Sequence, residues 1–321
     1  MSRKLITIST IMTLMSTSVI ADVPNVAADI SPIHSLVSRV MDGVGAPKLI
    51  VQSGASPHGY RLRPSEAKAL QDADHVFWMG EELTPWLDSA IDTLATKASV
   101  TTLLDQEGII LHDFREGALF EAHDHSAHGD DDHDDHDDHD DHKDHDDHDD
   151  HDDHDPHAWL SPENAKLWLN IIASKLSVSD PENAATYFMN AAAGQAEIEA
   201  MIAEVKATLK PVQGGKFVVF HDAYQYFEND FDFYASGAIS LGDSSDPSPA
   251  RIEKVQKRIR DEGIQCVLAE PQFKKGLVAT VMEGSDATAS VIDPLGTELE
   301  AGPKLYTQLI KNMAKTLRNC L

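Results

Sequence analysis

Basic charge is scarce in this chain: 26 Lys and Arg stand against 54 Asp and Glu, a net charge of −28 over 321 residues. A nucleic-acid surface needs a cationic face, so that class of partner is excluded. Beyond Ile20 no stretch approaches the ~18 apolar residues of a membrane span, and the mature chain reads as soluble. Cysteine is nearly missing, with Cys266 and Cys320 alone. An even pair in an exported chain points to a disulfide rather than a metal site. Closing that loop would be worth about 4 kcal/mol on the chain-entropy account. Two reduced, buried thiols are the alternative.

The case for export is at the N-terminus. Arg3 and Lys4 precede an apolar stretch from Leu5 to about Ile20, and Val19-Ile-Ala21 offers tolerated residues before a cleavage point. Residues 1–21 therefore read as a secretory signal peptide. A membrane anchor is the rival reading, disfavoured because the run is short and broken by Thr and Ser.

What is abundant is histidine set in aspartate. Nine histidines fall at an unbroken spacing of three from His133 to His157. The segment from Glu121 to Pro156 holds 18 Asp and one Glu against Lys143, so −18 of the net charge sits there and −10 is left for the other 285 residues. No hydrophobic residue interrupts the repeat, so it cannot bury a core and is expected as a disordered loop over 121–156. Neutral imidazole is a good ligand for zinc, copper and nickel, and neighbouring carboxylates concentrate any divalent cation. A plain acidic spacer needs no histidine. The tract, with His123, His125, His128, His133, His136, His139, His142, His145, His148, His151 and His154, is thus expected to collect metal.

Around it, strand and helix signals alternate. Strands are expected at Val26 to Ile30, Lys48 to Gln52, His75 to Met79 and Val100 to Leu104. Helices are expected from Pro32 to Met41, Pro64 to Leu70 and Pro85 to Thr96, with Pro at first turns and Gly43 past an end. After the tract, helices run from Pro162 to about Lys175 and from near Pro181 to Lys210, the second capped by Ser179 or Asp180 with Glu182 in its first turn. The alternation then repeats: strands at Lys216 to Phe220, within Phe233 to Leu241, at Cys266 to Ala269 and at Ser290 to Ile292, and helices at Pro249 to Glu262, Phe273 to Met282 and Pro303 to Leu317. The pattern predicts an α/β fold with two lobes, each a parallel sheet wrapped by helices. The expected layout is an N-terminal lobe over 22–178, one long linking helix over 179–210 and a C-terminal lobe over 211–321.

Ligands in such sheets bind beyond the carboxyl ends of strands, and a cleft between lobes is a natural site. His58 follows the second strand, and His221 follows the strand ending at Phe220. His157 lies in Asp155-Pro-His-Ala-Trp-Leu-Ser-Pro162, and Asp293 in Val291-Ile-Asp-Pro-Leu-Gly296. Two of these four come from each lobe. Three imidazoles and a carboxylate suit four-coordinate Zn(II). A single loop histidine is ordinarily a surface residue, and only the joint placement carries weight. His34, His75 and His112 read as structural or surface residues.

On these residues the chain resembles the ZnuA-type periplasmic zinc-binding proteins of ABC importers. The segments that carry the resemblance are Ala55-Ser-Pro-His-Gly-Tyr-Arg-Leu-Arg-Pro-Ser65, Asp155 to Pro162, Phe220-His-Asp-Ala-Tyr-Gln-Tyr-Phe227, Glu270-Pro-Gln-Phe273 and Asp293 to Gly296. The likeness implies a periplasmic monomer that captures Zn(II) on His58, His157 and His221 and delivers it to a membrane permease. It also implies a metal-collecting loop at the tract and a disulfide matching Cys266 and Cys320. Some relatives carry a glutamate where this chain has Pro57, leaving Asp293 or water as fourth ligand. Manganese-preferring relatives carry a glutamate at the place of His221, and a third imidazole favours zinc. Glu270 is a candidate acceptor for a ligand histidine's N–H, and Arg251 a candidate partner for a cleft carboxylate. Two other readings stand beside this one, a metal buffer or adhesin without a transporter and a zinc hydrolase. The hydrolase lacks a HExxH segment and a base beside a ligand pair.

Overall fold

The computed structural model describes residues 23–115, 120, 154–240, 242, 247–272 and 275–321. Residues 1–21, expected as a signal peptide, and the tract histidines other than His154 lie outside the described residues. Two parallel four-stranded sheets organise the chain. The first is built from β1 (Val26–Ala28), β2 (Lys48–Leu49), β3 (His75–Trp78) and β4 (Ser99–Thr102) in the order β2-β1-β3-β4. The second contains β5 (Phe217–His221), β6 (Ala238–Ser240), β7 (Cys266–Ala269) and β8 (Thr288–Val291) in the order β6-β5-β7-β8. The two orders are the same order repeated, so β1 corresponds to β5 and β3 to β7. In each sheet the direction of winding reverses between those two central strands, where sheets of this kind take their ligands.

Side-chain alternation assigns each strand's two faces. Along β3, Phe77 enters the main core while Val76 and Trp78 join an outer cluster with Ile50 and Leu87. Along β5, Phe217 and Val219 enter the main core while Val218 and Phe220 join a second outer cluster with Ile239 and Val267. The main core is one contiguous body drawn from both halves: Phe77, Trp159, Tyr187, Phe217 and Leu309 all belong to it. Polar bonds cross the same boundary. Trp159 donates to the Pro294 carbonyl at 2.8 Å, the Tyr306 hydroxyl to the Trp159 carbonyl at 2.9 Å, and Ser35 to the Gly302 carbonyl at 2.7 Å.

The helices are α1 (Ser31–Val40), α2 (Pro64–Gln71), α3 (Pro85–Leu94), α4 (Pro162–Ser179), α5 (Ala184–Leu209), α6 (Gln225–Phe231), α7 (Pro249–Glu262), α8 (Lys275–Val281) and α9 (Leu305–Cys320). At 26 residues α5 is the longest described helix, and it packs against α1 and α4 from one half and α9 from the other. It begins three residues later than the sequence signals imply. The Asp180 carboxylate is spent on a turn, accepting from Asn183 Nδ2 at 2.8 Å and the Tyr187 hydroxyl at 2.7 Å. Strand β2 is shorter than expected, although the amides of Ile50 and Val51 still reach the Ala28 and Asp29 carbonyls at 2.9 and 2.8 Å before the chain turns away. Helix α6 has no counterpart in the sequence reading. Seven residues are too few for a helical period to show, and the helix stops at Asp232, whose φ of 51° is left-handed. Cys266 and Cys320 are joined, with Cα atoms 5.6 Å apart, pinning the end of α9 to β7. No described helix is long and apolar enough to cross a membrane.

His75 begins β3 and is 5 % exposed. Its Nε2 meets Ser179 Oγ at 2.7 Å, while Nδ1 is buried without a hydrogen-bond partner. Burial holds this imidazole below its ordinary value against the opposing pull of Asp74. The folded chain therefore takes up a proton less readily here than the unfolded chain. The stability His75 confers is present above the unfolded value of about 6.5 and is lost as pH falls below it. Denaturant unfolding at pH 7.5, 6.5 and 5.5 should show the folded state weakening on acidification, and H75Q should show a shallower loss. Equal slopes in the two proteins would refute the assignment.

Candidate metal centre

The second sheet's winding reversal places two groups together. His221 is the last residue of β5, and Glu270 follows the last residue of β7. Glu270 Oε1 lies 2.5 Å from His221 Nδ1, with both side chains buried. The other half supplies a matching pair. Asp155 turns back on the residue two ahead, its Oδ1 taking the His157 amide at 3.0 Å and standing 2.6 Å from His157 Nδ1. Each imidazole thus has its Nδ1 against a carboxylate, which makes Nδ1 the protonated nitrogen and leaves Nε2 as the lone-pair side.

Those two Nε2 atoms face each other at 3.4 Å. Two nitrogens bound to one zinc at about 2.0–2.1 Å in tetrahedral geometry stand about 3.3–3.4 Å apart. Carboxylate-backed imidazoles with converging outer nitrogens are the usual dress of a metal-binding histidine, because the carboxylate fixes the tautomer and raises ligand basicity.

His58 comes alongside, its ring centroid 5.6 Å from that of His157. Its loop is pinned on both sides: Trp86 Nε1 donates to the Pro57 carbonyl at 2.6 Å, and the Tyr60 hydroxyl to Glu66 at 2.7 Å. Trp159 packs on His157 with ring centroids 5.2 Å apart. Tyr224 lies behind His221, and its buried hydroxyl is pushed well above its ordinary value by desolvation and by the charges of Glu270 and Asp293.

Asp293 borders this region with its carboxylate already engaged. Oδ1 accepts from the amides of Leu295 and Gly296 at 3.0 and 2.9 Å, and Oδ2 from the amide and hydroxyl of Thr297 at 2.6 and 2.8 Å. Among the described residues no group of three or more His, Cys, Asp or Glu side chains is placed to hold a metal ion. The paired His157 and His221 are set, and His58 is adjacent. Arg251 donates to the carbonyls of Ile239 and Ala238 at 2.7 and 3.1 Å, so it braces β6 rather than pairing with a cleft carboxylate.

Five residues had no assigned role in the sequence reading: Arg115, Asp155, Asp222, Tyr226 and Glu228. Tyr226 and Glu228 sit on α6, and Tyr226 donates to the Asp155 carbonyl at 2.6 Å, steadying the turn that carries His157. The Asp113 to His154 bridge and the 2.8 Å bond from the Asp155 amide to the His112 carbonyl close the two ends of the tract side by side. Arg115 reaches from the tract's entrance to Asp222 and Glu228. Burial raises both carboxyls above their ordinary values, partly offset by Arg115. The one signal in the sequence was the Asp-x-His spacing of Asp155 and His157.

The sequence model of the ZnuA family, described as zinc-uptake complex component A, periplasmic, matches residues 26–320. A high-affinity zinc uptake system protein ZnuA of Brucella abortus (strain 2308) is 48% identical over 304 residues, covering 92% of this chain and 91% of its own. Its counterpart in Paracoccus denitrificans (strain Pd 1222) is 43% identical over 302 residues, covering 94% and 93%. The fold is shared with a crystal structure of a ZnuA deletion mutant with zinc bound, at a TM-score of 0.72 and 20% identity over 93% of this chain and 98% of that one.

Proposed function

The chain belongs to the ZnuA family of periplasmic zinc-uptake components, and from that premise we propose that it is a receptor that captures Zn(II) on His58, His157 and His221. It then delivers the ion, as a monomer, to the membrane permease of an ABC importer. The observation that carries this reading is the 3.4 Å approach of two carboxylate-backed Nε2 atoms. Water takes the fourth position, because the four lone-pair directions of Asp293 are filled by its own turn. Residues 1–21 serve as the export signal. The shared core and the long α5 limit closure to small tilts and loop adjustments.

The His/Asp tract acts as an auxiliary collector. It re-enters the fold at His154 and Asp155, two residues before His157, so a cation held there is at high effective concentration near the cleft. Deleting residues 124–153 should lower the number of zinc ions bound while leaving one tight site, as read by titration of the metal-free protein against a chromophoric chelator. Loss of the tight site together with the loose ones would overturn the division of labour. Manganese, titrated the same way, should bind more weakly than zinc to both forms.

A further inference from the structure

One buried cluster beside the cleft has no part in the capture mechanism. Arg115 Nε lies 3.0 Å from Asp222 Oδ1 and 3.1 Å from Oδ2, and its Nη2 also donates to Oδ1. Its Nη1 donates to Glu228 Oε2 at 2.5 Å, and the Phe120 ring covers the guanidinium with 3.6 Å from Cζ to the ring centroid. Asp222 and Glu228 are 5 % and 1 % exposed. One planar fork therefore holds both oxygens of Asp222, with its other arm tied to Glu228 on α6.

Asp222 is the residue directly after His221, and it lies within the electrostatic reach of Asp155 and His157. Carboxylate oxygen is a hard donor that suits manganese, magnesium and calcium, whereas imidazole suits zinc. A loose carboxylate one residue from an imidazole ligand would be a competing donor for whichever cation entered the cleft. We propose that Arg115 is a specificity-determining positioning residue that restrains Asp222, keeping the ligand set rich in imidazole and selective for zinc over hard cations. This rests on the three-histidine reading of the cleft.

The test measures zinc and manganese affinities of the full chain by chelator competition in the wild type, R115A, R115A/D222N and H221A. R115A should bind manganese about tenfold more tightly and lose zinc preference by at least that factor. The double variant, with no carboxylate left to release, should regain the wild-type ratio. Cobalt(II) bound to R115A should absorb more weakly in the visible than cobalt(II) bound to the wild type, because an added oxygen ligand raises the coordination number above four. An unchanged ratio in R115A overturns the proposal. So does a ratio that falls and is not restored by D222N, and so does a parallel rise in both affinities, which would be a general effect of removing a positive charge. Should R115A fail to fold, R115K carries the test, since a point charge cannot hold both oxygens and the same shift is expected in smaller degree. Loss of tight zinc in H221A checks the cleft reading separately, so the role of Arg115 stands or falls alone.

Discussion

Replacing His221 by alanine should weaken zinc binding by about 100- to 1000-fold. A zinc site built from four ligands is worth about 10–16 kcal/mol, so each ligand carries roughly a quarter of it. His221 should be the most sensitive of the three imidazoles. It is fixed at a strand end rather than in a loop, buried, and backed by Glu270 at 2.5 Å. Removing it also leaves the buried Glu270 carboxylate without that partner, a further cost to the folded state. E270Q should give a smaller loss, about 10- to 100-fold, because the imidazole stays in place with a weaker acceptor behind it. Chelator competition with each variant reads both effects. If H221A binds zinc as the wild type does, the site lies elsewhere.

Trp159→Ala should lower stability by about 3–5 kcal/mol, the range for emptying a large aromatic site in a core. For a chain of this size that corresponds to a fall in melting temperature on the order of 10 °C. Trp159 is 1 % exposed and lies in the core common to both halves. Its indole bond to Pro294 crosses between the halves, and its ring packs on His157. The variant should therefore lose zinc affinity as well as stability. Calorimetry of the metal-free protein separates the two effects. A melting temperature within a degree or two of the wild type would mean that the halves do not depend on this wedge.

The fold was legible because buried parallel strands leave plain marks. Phe217-Val-Val-Phe220 and Val76-Phe-Trp78 are apolar on both faces and are bounded by turn residues, which identifies a covered sheet without reference to anything distant. Proline at the first turns of α1, α2, α3, α4 and α7 marked where helices begin. Helix α6 was hidden by its length, and its absence from the reading also hid Tyr226 and Glu228. Of the three proposed ligands His221 stands at a strand end, whereas His58 and His157 sit in loops and were singled out by their flanking turn residues. Their carboxylate partners were less legible, because Glu270 lies 49 residues from His221 and Arg115 lies 107 residues from Asp222. Such pairs are made by topology and leave no local periodicity. Asp155 is the exception: its partner is two residues away, so the spacing itself recorded the contact. The late start of α5 shows the reverse problem, since Pro181 and Glu182 are sound helix openers overridden by Asp180 bonding to Asn183 and Tyr187.

The undivided core has an outcome for how a loaded receptor is told from an empty one. With apolar side chains of both sheets interlocked in one body, the outline should change little when an ion arrives. Charge changes far more. Asp155 and Glu270 stand behind the proposed ligands His157 and His221, and Asp222 and Glu228 lie beside them on Arg115, so a dication entering there should cancel much of their field. On the proposed delivery role, a transport partner that must distinguish freight from no freight would be offered a voltage rather than a silhouette.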